Sequence, residues 1–197
     1  MNVGILALQG DVPEHRAAAA SVVGASHVSL VRVPRELEGV GALFLPGGES
    51  TTMARLLQDS GLWDPLADRL REGLPIFATC AGLILIARDL EKGPSGADPP
   101  TFGVLDVLVR RNDYGPQGKS CETDLAIVGL KPPAFRGVFI RSPRILAVGP
   151  QVTPIAQRGA EVVGVRAGAT WGLAFHPELT GDRRMHRLFL HSLRSHR

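Results

Sequence analysis

Residues 75–87, PIFATCAGLILIA, pass from a short apolar run through a single cysteine into a second apolar run of good helix formers. A buried strand followed at once by a helix is the repeating unit of a parallel sheet, whose crossover helices cover both faces. GILAL (4–8), HVSLVRV (27–33) and GALFLPG (41–47) have the same texture as PIFATC (75–80): short, apolar and bounded by Gly or Pro. DVPEHRAAAASVVG (11–24), STTMARLLQDSG (50–61), WDPLADRLREG (63–73) and AGLILIARDL (81–90) read as helices between and after these strands. Asp11 three residues ahead of Glu14, with Pro13 in the first turn, predicts a capping box on the first helix. The alternation predicts an α/β protein with three αβα layers around a mostly parallel sheet.

After the Gly/Pro-rich segment EKGPSGADPP (91–100) the pattern changes. FGVLDVLVRR (102–111), CETDLAIVG (121–129), FRGVFIRSP (135–143) and a hairpin, EVVGVRAGATWGLAF (161–175), succeed one another without helices. Consecutive strands predict an antiparallel extension of the sheet in the C-terminal half. In GDRRMHRLFLHSLRSHR (181–197), Met185, Leu188, Phe189 and Leu193 fall on one helical face opposite a basic one. With no linker and no internal repeat, residues 1–197 read as a single domain.

At 197 residues and 44% hydrophobic content the chain can bury a sizeable core. The net charge of +3 rests on arginine, since Lys92, Lys119 and Lys131 are the only lysines, and these arginines are spread rather than striped, which argues against a nucleic-acid partner. The two cysteines lie in no CxxC or Cys/His pattern, so no disulfide framework and no metal site is expected, and a reducing, cytoplasmic location is. MNVGILALQGD has no basic leader and its apolar run stops at Gln9; no stretch is long enough to span a membrane.

In an open α/β sheet, ligands collect outside the carboxyl ends of the strands. Three polar features converge there: Cys80, the PGGES turn (46–50) and the HPE (176–178) that follows TWGLAF (170–175). A nucleophile at a strand-to-helix elbow needs small residues two positions to either side, which Ala78 and Gly82 provide, and a helix N-terminus favours its thiolate. By spacing alone Cys80 reads equally as nucleophile or core filler. A histidine at a strand end, such as His176, is more often structural when it stands alone. With Glu178 two residues on, however, His176 could serve as a base oriented by a carboxylate. His15, His27, His186, His191 and His196 show no comparable acidic partner in the sequence. Gly47-Gly48 lacks the Gly-Lys-Ser/Thr continuation of a phosphate loop, so an oxyanion hole built from Gly47, Gly48 and Ala81 N–H groups fits better than nucleotide binding.

PGGES, ATCAGL (78–83) and FHPEL (175–179), in that order, resemble the signatures of the class I, or triad, glutamine amidotransferases. VGILALQGDVPEH (3–15), GLILIARDL (82–90), RRNDYG (110–115) and VFIRSP (138–143) are further similar to the glutaminase subunits of pyridoxal 5'-phosphate synthases, and the likeness runs nearly end to end. It implies a flavodoxin-like sheet, with Cys80 as nucleophile, His176 as base and acid, and Glu178 as the residue that orients the histidine. It further implies that Gly47, Gly48, Glu49, Arg111, Ile140 and Arg141 bind L-glutamine, the arginines suiting its free carboxylate. The resemblance also implies no cofactor and a separate barrel-shaped synthase subunit that takes up the ammonia and stimulates the glutaminase, with the Gly47-Gly48 turn as the element ordered. Two positions depart from the family pattern, Ala78 where Gly is usual and Pro116 where a basic residue is common, and Cys121 matches no functional position. The rival readings are a glutaminase serving another synthase, such as the imidazole-glycerol-phosphate type, a cysteine hydrolase of the same superfold, and a catalytically silent binding module.

Overall fold

The computed structural model describes residues 1–91, 98–113 and 121–193. The first half runs β1 (Val3–Leu6), α1 (Val12–Val23), β2 (Val28–Val31), the one-turn α2 (Pro34–Leu37), β3 (Ala42–Leu45), α3 (Ser50–Asp59), α4 (Trp63–Arg71), β4 (Ile76–Thr79) and α5 (Ala81–Ile86). The second runs β5 (Ala87–Leu90), β6 (Leu105–Arg110), β7 (Cys121–Ile127), β8 (Phe135–Phe139), β9 (Arg144–Val148), β10 (Thr153–Arg158), β11 (Glu161–Ala167), β12 (Thr170–Leu173) and α6 (Arg184–Ser192). The large sheet has the order β2-β1-β3-β4-β12-β11-β10-β7-β8. Pairing is parallel from β2 to β12 and antiparallel from β12 to β8, as the change of texture along the chain predicts.

Strands β1, β3 and β4 are buried at every residue, because helices cover both faces. Side chains alternate between those faces. Trp171 of β12 meets Phe189 of α6, while a side chain added at the next residue, Gly172, would collide with Leu83 of α5. Helices α1 and α6 pack together on the first face and α3 with α5 on the second, which makes three layers.

Four expectations change. AGLILIARDL is not one helix: α5 ends at Ile86, Ala87 turns extended, and Ala87–Leu90 becomes β5, paired in parallel with β6. The strand partner outweighs the local helix preference of a segment too short to hold a helix by itself. FGVLDVLVRR leaves the large sheet, and its β6 lies between β5 and β9 in a separate three-stranded sheet. Asp11 sits at the N-cap of α1 but makes no capping hydrogen bond; its carboxylate goes elsewhere, as described below. Strands β9 and β10 and helix α2 add to the elements read from sequence. The C-terminal helix forms with Met185 and Phe189 buried and Leu188 and Leu193 packed at the edge of the core. Pro116, and most of the 91–100 segment, lie outside the described residues.

Candidate active site

Cys80 occupies the elbow between β4 and α5 with φ 48° and ψ −104°, a left-handed backbone that an L-residue adopts only under constraint. Its N–H is held by the Leu173 carbonyl at 2.8 Å, which ties the elbow to the end of β12. Only glycine fits at residue 82, where a Cβ would lie 2.3 Å from the Leu45 carbonyl oxygen of β3. The thiol is nearly buried, and it faces the Ile140 carbonyl at 3.9 Å.

His176 and Glu178 follow β12, with Pro177–Leu179 forming a single tight turn of 3-10 helix. The His176 Nδ1–H donates to Glu178 Oε1 at 2.8 Å, and Asp11 Oδ2 lies 3.1 Å from the same nitrogen. The ring's Nε2 makes no hydrogen bond among the described residues, and the Cys80 side chain lies close enough to raise the ring's basicity. Burial alone would make the imidazole less basic. Asp11, Cys80 and Glu178 together outweigh it and hold the pKa well above the ordinary 6.5. Glu178 is fully buried, which favours its neutral acid, yet His15 and His176 push its pKa below the usual carboxylate range. The site is therefore organised around an imidazolium between the Cys80 sulfur and two carboxylates.

Asp11, Cys80 and His176 open into a cavity of about 250 Å³ that also takes in Gly48, Glu49, Arg111, Ile140 and Arg141, while Glu178 stays buried behind the imidazole. Every substrate-binding residue named from sequence except Gly47 lines it. Gly47 instead packs under the imidazole: a Cβ there would stand 2.4 Å from His176 Cε1, and its carbonyl accepts from the Asp11 N–H at 3.2 Å. Arg141, also at positive φ, pairs with Glu49 at 2.8 Å across the cavity. Arg111 reaches Asp98 at 3.4 Å and Thr51 Oγ1 at 3.1 Å, and its Nε is buried without a hydrogen bond among the described residues. Cys121 lies apart on β7, near Arg158.

Sequence reading overlooked the segment 9–15. Gln9 Oε1 accepts from the Glu49 N–H at 2.9 Å, Asp11 reaches His176, and His15, expected to lack an acidic partner, lies 3.4 Å from Glu178 Oε1. The available signal was the i, i+4 spacing of Asp11 and His15 on a helix that starts at the carboxyl end of a parallel strand. Asp11, His176 and Glu178 offer ligand atoms within 4.8 Å of one another, close enough for a cation. Such an ion would have to replace the Nδ1 proton that joins His176 to Glu178.

The fold and this site together mark a class: the chain belongs to the SNO glutamine amidotransferase family, whose model matches residues 5–195. Among its relatives, the pyridoxal 5'-phosphate synthase subunit PdxT of Frankia alni is 49% identical over 193 residues, covering 98% of this chain and 95% of its own. The protein of the same name from Pelotomaculum thermopropionicum is 47% identical over 190 residues, covering 96% and 94%. A crystal structure of a glutamine amidotransferase superposes with a TM-score of 0.87 at 43% identity over 98% of both chains.

Proposed function

We propose that this chain, as one glutaminase domain, hydrolyses L-glutamine to L-glutamate and ammonia, and that it passes the ammonia to a barrel-shaped synthase subunit that makes pyridoxal 5'-phosphate. The observation that carries the reading is the convergence of Cys80 and His176 at one cavity, with Glu178 hydrogen-bonded to the histidine from behind, in a chain whose relatives bear that subunit's name.

In this reading the Cys80 thiolate attacks the side-chain amide carbon, and the carbonyl electrons move onto oxygen. N–H groups of Gly47, Gly48 and Ala81 hold that oxyanion; one such donor is worth roughly 2.7–4 kcal/mol of barrier. The imidazolium of His176 gives its Nε2 proton to the departing nitrogen, which leaves as ammonia, and Glu178 keeps the ring in the tautomer this requires. His176 then takes a proton from water, whose oxygen attacks the glutamyl thioester and releases glutamate and the thiol. Arg111 and Arg141 suit the substrate carboxylate and Glu49 the ammonium, with Ile140 packing beside them. The chemistry calls for no metal or organic cofactor, nucleic acid or membrane, and a cytoplasmic setting suits a free thiol. No helix among the described residues is long and apolar enough to cross a membrane.

The test is glutamate release from glutamine, followed with glutamate dehydrogenase, with and without the synthase subunit. Cys80→Ala should fold and bind that subunit but lose activity by more than ~1,000-fold. Retained activity would remove Cys80 as nucleophile, and lack of stimulation by the synthase subunit would point to a different acceptor.

A further inference from the structure

His15 has no part in the chemistry above, yet it is completely buried. Its Nε2 lies 3.0 Å from Thr79 Oγ1 and 3.4 Å from Glu178 Oε1, and Thr79 Oγ1 lies 3.5 Å from that same oxygen. The arrangement follows from strand alternation. Thr79 shares a face of β4 with Phe77, the face covered by α1 and α6, so the residue just before the elbow cysteine points at α1. Oε1 is also the atom that accepts the His176 proton at 2.8 Å. The two histidines and one hydroxyl thus converge on one carboxylate oxygen, while Oε2 has no hydrogen bond among the described residues.

A space-filling role does not call for a histidine here. His15 sits edge-on to Phe44 and Phe77, where an apolar side chain would pack, and its Nδ1 is buried without a hydrogen bond among the described residues. Burying such a group is costly, so what remains to justify it is the bond made by Nε2.

We propose that His15 is a positioning residue of the triad: its Nε2–H, together with the Thr79 hydroxyl, holds Glu178 ionised and prevents it from turning away from His176. The proposal rests on the glutaminase reading. The charged or titratable groups around Glu178 are His15 and Asp11 on α1, Cys80 after β4, His176 after β12, and Arg183 and His186 at and on α6. Of these His186 is neutral, its pKa pushed down to about 3 chiefly by burial. Arg183 binds the Glu178 backbone carbonyl at 3.1 Å rather than the carboxylate. Beyond His176, then, His15 is the basic side chain among the described residues that reaches Oε1.

The experiment compares His15→Leu, which keeps volume without a donor, with His15→Gln, whose amide N–H can take the place of Nε2–H. Both are assayed as the complex with the synthase subunit. For His15→Leu, kcat for glutamine hydrolysis should fall about 10–100-fold with KM changed less than about twofold, the pattern of a lost orienting contact. The acidic limb of its pH profile should move to higher pH, because Glu178 then takes up a proton more readily. His15→Gln should recover most of the rate. If His15→Leu does not fold, His15→Asn, too short to reach Oε1, takes its place. A folded variant that lacks the donor but keeps the wild-type kcat and acidic limb overturns the proposal, as does a His15→Gln no better than His15→Leu. A wild type that releases no glutamate would instead sink the glutaminase reading. The carboxyl titration of 13C-labelled Glu178 then decides the contact itself: an unchanged titration without His15 overturns it, and an upward shift upholds it.

Discussion

Glu178 has almost no access to water, and burial alone would leave it a neutral acid. Its two histidine partners reverse that, so the carboxylate titrates at lower pH in the folded chain than in the unfolded one. A depressed folded-state pKa contributes stability that is fully present above the unfolded value, 4.5, and is lost as pH falls below it toward the folded one. Glu178→Gln, which leaves His176 with Asp11 as its remaining charged partner, should cost on the order of 3 kcal/mol near neutrality. Its melting temperature should approach that of the wild type as pH drops below 4.5, which thermal melts at graded pH would check. A constant gap would mean that Glu178 is not ionised in the folded chain. His176 has the opposite sign: its folded-state pKa is raised, so its contribution is complete below 6.5 and is lost as pH rises through the elevated value. Together the two residues place the most favourable electrostatics of the site between these limits.

At the level of elements, the β4–α5 elbow is where strain is concentrated. Cys80 at φ 48° is accommodated because β3 lies against Gly82 with no room for a side chain. Gly82→Ala would press a methyl group against a main-chain carbonyl, which cannot yield as a side chain tip can. We expect a loss of roughly 1–3 kcal/mol in stability and a fall in kcat, because the thiol moves with the elbow. Melting and glutamate release measured on one preparation would test both, and a variant matching the wild type in each would show that the elbow is relaxed. Ala78, the departure from the family pattern, is already accommodated in the buried face of β4. The first turn of α1 shows how an element can serve a site rather than itself: Asp11 forgoes the capping bond its position offers and binds His176 instead.

The whole molecule closes the cavity with parts from each region of the fold. The parallel strands deliver Cys80 and His176, with Glu178 behind the histidine, the antiparallel half brings Ile140 and Arg141 from the end of β8, and the small sheet brings Arg111 from the end of β6. Glu49 and Arg141 hold each other across the opening at 2.8 Å, and a zwitterionic substrate would exchange its own two charges for that pair. Arg141→Ala should therefore raise KM for glutamine, by about 10–100-fold if one charge-assisted hydrogen bond of about 1.5–3 kcal/mol is lost, with kcat less affected. A lowered kcat at unchanged KM would assign Arg141 to the chemistry instead of to binding. The cavity draws on distant strands of the large sheet and on the small sheet, so its spacing follows from tertiary packing and from no local signal.

Much of this was legible in the residues. Runs such as GALFL and PIFAT are apolar at every position because strands covered on both faces must be, and the small residues around Cys80 are what its backbone requires, so the parallel half and the elbow could be read from the chain. His176 and Glu178 are neighbours in sequence, and their pairing needed little folding to occur. What only the tertiary structure decided involves partners far apart along the chain. Asp11 and His15 come upon His176 and Glu178 because β1 lies beside β3, β3 beside β4, and β4 beside β12. The end of AGLILIARDL is a strand because β6 lies beside it. Sequence patterning reports which side of an element is buried; which side chain it meets there depends on strand order and register, and those are settled only when the sheet assembles.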